Sequence, residues 1–442
     1  MAAPECQFVS NGDGILSLIL RLLKGIVAYY AGLGYYVLGG SLNGLSLLQS
    51  YPKRTRVHLY FLALNFWLWK KPHYRTGTHQ GDMLKNLRNV AIPGTGVPLH
   101  LFVYFRVTAL FFLVAVYPAV AAVSAVNRAR VELDKSTGLV ERATWAAGFF
   151  LEQLLTPEDW FTYWRMNSSL ASYHSLLSGA EGYRFENKWD FLRDGAALDV
   201  PVSPFLDMSD LVIKDRNEEG GMGIFFYKNA TEGGDWIIQR RLHNGEAVQQ
   251  MLPDNAPLST FRVMTASSWS AKQVAGKGDA AKAGDCVKAL SCVFRAGRAG
   301  ASTDHSSILF DVDTAKAELG RGTTNDHWYQ LGLHKALKCD WLSTHDQTDA
   351  GGVPVTGKKL LGCQEMLDMC VDSHYQMLKD VPLVGWDVAI CAPPDEGQWL
   401  LEVNLSCNFF RGSFDKDKYF DFLEEYLVAL EPLKAKYRNK SA

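Results

Sequence analysis

No CxxC pair occurs among the eight cysteines, seven of which lie between Cys286 and Cys407, so a zinc site is not expected. Scattered single thiols in a long chain fit a reducing compartment better than a disulfide framework. An excess of charge is missing too. The formal net charge is −2 with 21% charged residues, which argues against a nucleic-acid binder and implies no polyanion partner. At 442 residues the chain is long enough for two or three domains, and its apolar residues are unevenly spread.

Charge is also missing locally. Residues 25–51 carry none, although Gly, Ser and Asn dilute the run, so it is a weak spanning candidate or a targeting segment. Residues 57–69 are apolar and aromatic but short, and Lys70 and Lys71 follow, which suits an interfacial or re-entrant helix. Residues 107–127, VTALFFLVAVYPAVAAVSAVN, lie uncharged between Arg106 and Arg128 and are predicted to form a transmembrane helix. The alternative is a buried helix of a soluble domain. Residues 89–105 are uncharged as well and could form the other arm of a hairpin. The positive-inside bias would put residues 53–106 on the cytoplasmic side, and one crossing would carry the later domain away from it. A hairpin or a purely interfacial attachment removes that conflict. The expected organisation is a helical membrane region over 1–150 and a soluble domain over 151–442. The boundary is marked by Thr156 as the N-cap of an amphipathic helix, with Pro157 in its first turn.

Chemistry concentrates in residues 385–413, GWDVAICAPPDEGQWLLEVNLSCNFFRGS. Two alternating runs, 384–391 and 398–405, flank a loop with two prolines and a glycine, which predicts a hairpin. Pairing Cys391 with Gln398 sets Ile390 opposite Trp399, Val388 opposite Leu401 and Trp386 opposite Val403 on an apolar face. The other face then carries Asp387 opposite Glu402 and Gly385 opposite Asn404. Two carboxylates and an amide among small neighbours suit a magnesium ion. The competing reading is a solvated strand face with unrelated acids.

Other stretches add cations and backbone donors. Residues 211–227, LVIKDRNEEGGMGIFFY, read as a strand ending in Lys214, a turn with Gly220, Gly221 and Gly223, and a second strand. Such a flap lays amides over phosphates, although an ordinary turn has the same pattern. Residues 186–192, ENKWDFL, begin a helix with Lys188 at its start, and 236–242, WIIQRRL, form a short strand containing Gln239 and Arg240. Arg262 in STFRVMT, with Arg295 and Arg298 in VFRAGRAGASTDH, falls at strand ends or turns, where guanidiniums bind carboxylate or phosphate oxygens. Residues 270–284 read as a long loop, either a cover for a site or an inert insertion.

In this order, from Asn187 to Ser413, the motifs resemble the ATP-grasp superfamily, and specifically its sugar-transfer-associated domains related to alpha-L-glutamate ligases. His345 and the Gly- and Pro-containing segment after it resemble the family's stretch before a late helix. The resemblance implies an α+β, two-lobed ATP-grasp fold behind the hydrophobic helical region. It implies ATP contacted by Lys188, Lys214, Gly220, Gly221, Gly223, Gln239 and Arg240, and magnesium held by Asp387, Glu402 and Asn404. Arg262, Arg295 and Arg298 would hold an acidic substrate, which becomes an acyl phosphate and is captured by an amine to form an amide or peptide bond. The domain would then be membrane-associated and face cytosol or organelle stroma, with small-molecule carboxylate and amine partners. The sequence departs from the family pattern at Asp215, Arg240, Arg241 and His305. Those departures keep two alternatives open: a catalytically degenerate, membrane-tethered nucleotide-binding or scaffold protein, and an ATP-dependent phosphotransferase.

Overall fold

A computed structural model describes residues 8, 14–75, 77–88, 97–134, 136–157, 160–208, 210–217, 222–276, 283–304, 307–324, 344–348, 353–406 and 415–441. The helices of the first half are α1 (Ile15–Val37), α2 (Lys53–Leu68), α3 (His79–Leu87), α4 (Arg106–Phe111), α5 (Tyr117–Glu132), α6 (Leu139–Leu155) and α7 (Trp160–Ser178). Then come α8 (Lys188–Ala197), the hairpin β1 (Asp210–Lys214) and β2 (Ile224–Lys228), and the short α9 (Glu246–Gln249). The second half holds β3 (Thr260–Ser267), α10 (Trp269–Val274), α11 (Ala283–Cys286), β4 (Val287–Gly297), β5 (Ser307–Asp313), β6 (Glu318–Thr324), β7 (Thr344–His345), α12 (Cys363–Leu378), β8 (Leu383–Cys391), β9 (Gly397–Asn404) and α13 (Lys416–Ser441). The chain is therefore mixed α+β, and β3 to β9 form an antiparallel sheet in the order β7-β6-β5-β4-β3-β8-β9.

The sheet separates two cores. On one face, Phe261, Val263, Phe294, Phe310, Trp386 and Val403 pack against Met366, Leu367 and Cys370 of α12. A hydrogen-bond relay pins this helix. The Trp386 indole donates to the Thr265 hydroxyl (2.8 Å), that hydroxyl meets His374 Nδ1 (2.7 Å), and His374 Nε2 lies 2.9 Å from the Val381 carbonyl. The opposite face is divided. Met264, Ala266 and Leu383 join the core of α1, α2, α7 and α13 at one end, and the other end of that face is polar.

Residues 57–66 of the expected interfacial run are enclosed by protein: Val57 to Phe66 of α2 are buried without exception, among α1, α7 and α13. A helix that is apolar all round is hidden inside protein or lipid, and hydropathy cannot say which. Ion pairs tie α2 to α13, with Arg56 3.0 Å and Lys53 3.4 Å from Glu424. Residue 150 falls within α6. Thr156 is not an N-cap but the residue that ends α6, its N–H donating to the Glu152 carbonyl (2.8 Å). The first part of the expected 270–284 loop is helical, as α10, because it packs on α13; residues 277–282 lie outside the described residues.

Two helical stretches, Ile15–Val37 and Arg106–Glu132, are long and apolar enough to cross a membrane. The first starts ten residues before the predicted 25–51 run and ends well short of it, with Arg21 and Lys24 inside the helix. Within the second, Phe112–Val116 is a π-helical turn between α4 and α5. A π turn disturbs the regular bonding ladder. The hydroxyls of Tyr29 and Tyr30 on α1 donate to the Leu113 and Val114 carbonyls there, each at 2.8 Å. Residues 89–96 of the proposed hairpin arm lie outside the described residues.

Candidate functional site

Strands β3, β8 and β9 lie side by side, and their register puts Arg262, Asp387 and Glu402 in one row across the sheet. The expected pairs Asp387 with Glu402, Gly385 with Asn404 and Trp386 with Val403 are present. Nearer the loop the register differs: Cys391 pairs with Gly397, Ile390 with Gln398 and Val388 with Leu400. A bulge between Asp387 and Val388 absorbs the one-residue offset, so a misplaced loop end and a bulge cancel before the acids are reached.

Asp387 is 6% exposed and Arg262 7% exposed, and each Asp387 oxygen has its own cation. Arg262 Nε donates to Oδ1, and Arg295 Nη1 donates to Oδ2 at 3.2 Å. Arg295 Nη2 also donates to Asp304 (3.2 Å), whose second oxygen accepts from the Thr260 hydroxyl. Thr260 and Arg295 are a cross-strand pair on β3 and β4. On the other side, Lys188 Nζ stands 2.7 Å from Glu402 Oε2. Three cations and three carboxylates thus form one chain of contacts.

Burial works to raise the Asp387 carboxyl, but the adjacent Arg262 and Arg295 outweigh it and hold the group below the ordinary carboxylate range. Glu402 lies within hydrogen-bonding reach of Asp387. For Asp304 burial wins, and its carboxyl is pushed up despite Arg295 and Thr260. Two residues along β9 from Glu402 and on the same face, the side-chain amide nitrogen of Asn404 is buried with no hydrogen-bond partner. Such a donor is costly unless an acceptor satisfies it.

Asn187 positions Lys188 by capping α8, its side chain accepting from the Trp189 and Asp190 amides. The preceding Glu186 accepts the Leu405 N–H (3.0 Å), which joins the start of α8 to the end of β9. Residues from outside the motifs complete this corner. Arg75, between α2 and α3, pairs with Glu186 and donates to Ser406 (2.8 Å) and Asp82 (3.1 Å). No local signal marks Arg75, because its partners lie far along the chain. Asp304 was within reach of the sequence, in the acidic end of the segment that holds Arg295.

The remaining expected residues are dispersed. Lys214 ends β1 on an exposed hairpin and makes no ion pair with any described residue. Gly223 stands at the start of β2 with its carbonyl accepting from the Asp215 N–H (2.8 Å), and its φ of +64° favours glycine. Gly220, Gly221 and His305 lie outside the described residues. Gln239 donates to the Ser203 hydroxyl (2.6 Å), and Arg240 pairs with Asp395 (2.8 Å) in the β8–β9 loop, at the far end of the hairpin from Glu402. The 236–242 stretch forms isolated bridges rather than a strand, through Phe205 with Gln239 and Asn229 with Trp236. Arg298 lies in the turn just after β4, and the side chain of His345 is outside the described residues.

Among the described residues no group of three or more His, Cys, Asp or Glu side chains could hold a metal ion. A magnesium site here would therefore rest on two carboxylates plus the Asn404 amide. A comparison with protein-family models, curated proteins and solved structures gave no match.

Proposed function

We propose that the chain is an ATP- and magnesium-dependent ligase of ATP-grasp type that joins a carboxylate to an amine. The observation that supports this most is the row of Arg262, Asp387 and Glu402, with Lys188 on Glu402 and Asn404 on the same face of β9. The donor set fits magnesium, since Asp387, Glu402 and Asn404 offer hard oxygens from one sheet face. The ion would neutralise charge on the transferring phosphoryl group. Lys188 would exchange Glu402 for a nucleotide phosphate, and Arg262 and Arg295 would orient an acidic substrate beside it. No side-chain nucleophile is needed.

The test is ADP release by the full chain in detergent, with ATP, magnesium and a panel of carboxylic acids and amines. Glu402→Gln is the informative variant, because its side chain is 28% exposed and the substitution keeps shape. A loss of roughly 100-fold or more is expected, the scale on which one charge-stabilising group matters in a preorganised site. Turnover equal to the unsubstituted chain would remove the metal assignment.

One observation favours a second reading. Both Asp387 oxygens already bond to arginines, as in a purely structural ion network. A nucleotide-binding protein without turnover would bind ATP yet release no ADP across the whole panel.

A further inference from the structure

A cavity of about 870 Å³ opens where the end of α2 meets the start of α4, and none of the candidate ligase residues lines it. Lys70, Lys71 and Arg106 line it together with aromatic rings, and no carboxylate among the described residues does. None of these cations ion-pairs with any described acid. Rings hold two of them: Lys71 lies 5.5 Å from the Trp67 centroid and 5.0 Å from that of Tyr437, and Arg106 lies 5.9 Å from Phe66.

The surface beside this cavity is apolar. Tyr104, Phe105, Val107, Leu110, Phe111 and Val114 are all exposed large hydrophobics, the last four within the Arg106–Glu132 helical stretch. An exposed apolar face of this length marks an interaction surface, and aromatic residues beside lysine and arginine are what a bilayer interface selects. A soluble anion would need the cations but not the apolar apron. An anionic lipid uses both.

We propose that Lys70, Lys71 and Arg106 form a binding site for the anionic headgroup of a bilayer lipid, with the adjoining apolar face lying in the same leaflet. The site attaches the protein to acidic membranes and does not depend on the ligase reading.

The test is flotation of the full chain with vesicles of phosphatidylcholine alone and with about 30% phosphatidylglycerol, compared at one lipid concentration. The unsubstituted chain is expected to favour the acidic vesicles. Replacing Lys70, Lys71 and Arg106 by Gln together should erase that preference, a change of roughly 100-fold for three interfacial charges. Removing the same charge at the exposed Lys228, Lys316 and Lys436 should preserve it. A triple variant that still prefers acidic vesicles, or a control that loses the preference equally, overturns the proposal. Displacement by inorganic phosphate equimolar with the acidic lipid also overturns it, in favour of a soluble anion. If the triple variant fails to fold, Lys70→Glu alone decides, since this exposed residue should then weaken binding to acidic vesicles and leave neutral ones unaffected.

Discussion

At the scale of single residues, Asp387 and Glu402 sit opposite each other but carry different roles. Asp387 is closed in by two guanidiniums, whereas Glu402 meets a lysine at the surface. Breaking a buried ion pair by removing one partner typically costs about 3–5 kcal/mol. Asp387→Asn should therefore lower the denaturant midpoint sharply, while Glu402→Gln should shift it by about 1 kcal/mol or less. Urea titrations of both variants check this, and equal costs would mean that Arg262 is not held mainly by Asp387. Asp387→Asn is for that reason a poor probe of catalysis. The acids were legible because a period of two and small neighbours separate a polar face from a core face. The guanidiniums around Asp387 were legible only as nearby cations, since one sequence does not reveal that β3 lies between β4 and β8.

At the scale of elements, α12 and α1 show two ways of fixing a helix. The relay from Trp386 through Thr265 to His374 satisfies each buried polar group with the next. Thr265→Val keeps the shape but strands the indole N–H and the imidazole nitrogen, so a loss of about 2 kcal/mol or more is expected in thermal or urea unfolding. A neutral result would show that the relay contributes little. On α1, Gly32 lets the helix approach Leu59 and Leu48: an added Cβ would stand 2.7 Å from one and 3.1 Å from the other, and both leucines are fully buried. Gly32→Val should cost about 1–3 kcal/mol through overpacking, measurable as a lowered melting temperature. Sequence periodicity found the apolar runs but not their solvent. The 57–69 run reads as interfacial because lipid and protein interior select the same residues, and only its partners on α7 and α13 distinguish them. The start of α1 was missed because Arg21 and Lys24 break an uncharged run without breaking a helix.

On the scale of the whole molecule, acid sensitivity and domain independence follow from the same buried polar helices. Burial pushes His79 and His174 down to about 3 and His374 to about 4, and it lowers His58 as well, with Arg165 beside it acting in the same direction. These folded-state values lie below the unfolded value of about 6.5, so the unfolded chain takes up protons first as pH falls. Their contribution is complete above that pH and declines on the way to pH 4, by about 1.4 kcal/mol per unit for each histidine. The depressed Asp387 carboxyl acts only below about 3.9, so a flat unfolding midpoint between pH 7 and 5 would contradict this assignment. The same helices decide whether residues 151–442 can stand alone. Met166, Leu170 and Tyr173 on α7 share one core with Leu423, Leu427 and Leu430 on α13 and with Leu59 and Phe61 on α2. The Leu42 N–H donates to Glu431 (3.1 Å), and Lys434 donates to the Tyr60 hydroxyl (3.0 Å). A chain beginning at residue 151 would expose that core, and each leucine removed from water is worth about 2 kcal/mol. Such a fragment should aggregate when expressed alone and recover solubility on co-expression with residues 1–150. A monomeric fragment that unfolds cooperatively at the temperature of the full chain would show instead that α2 covers a surface the sheet and its helices do not need covered.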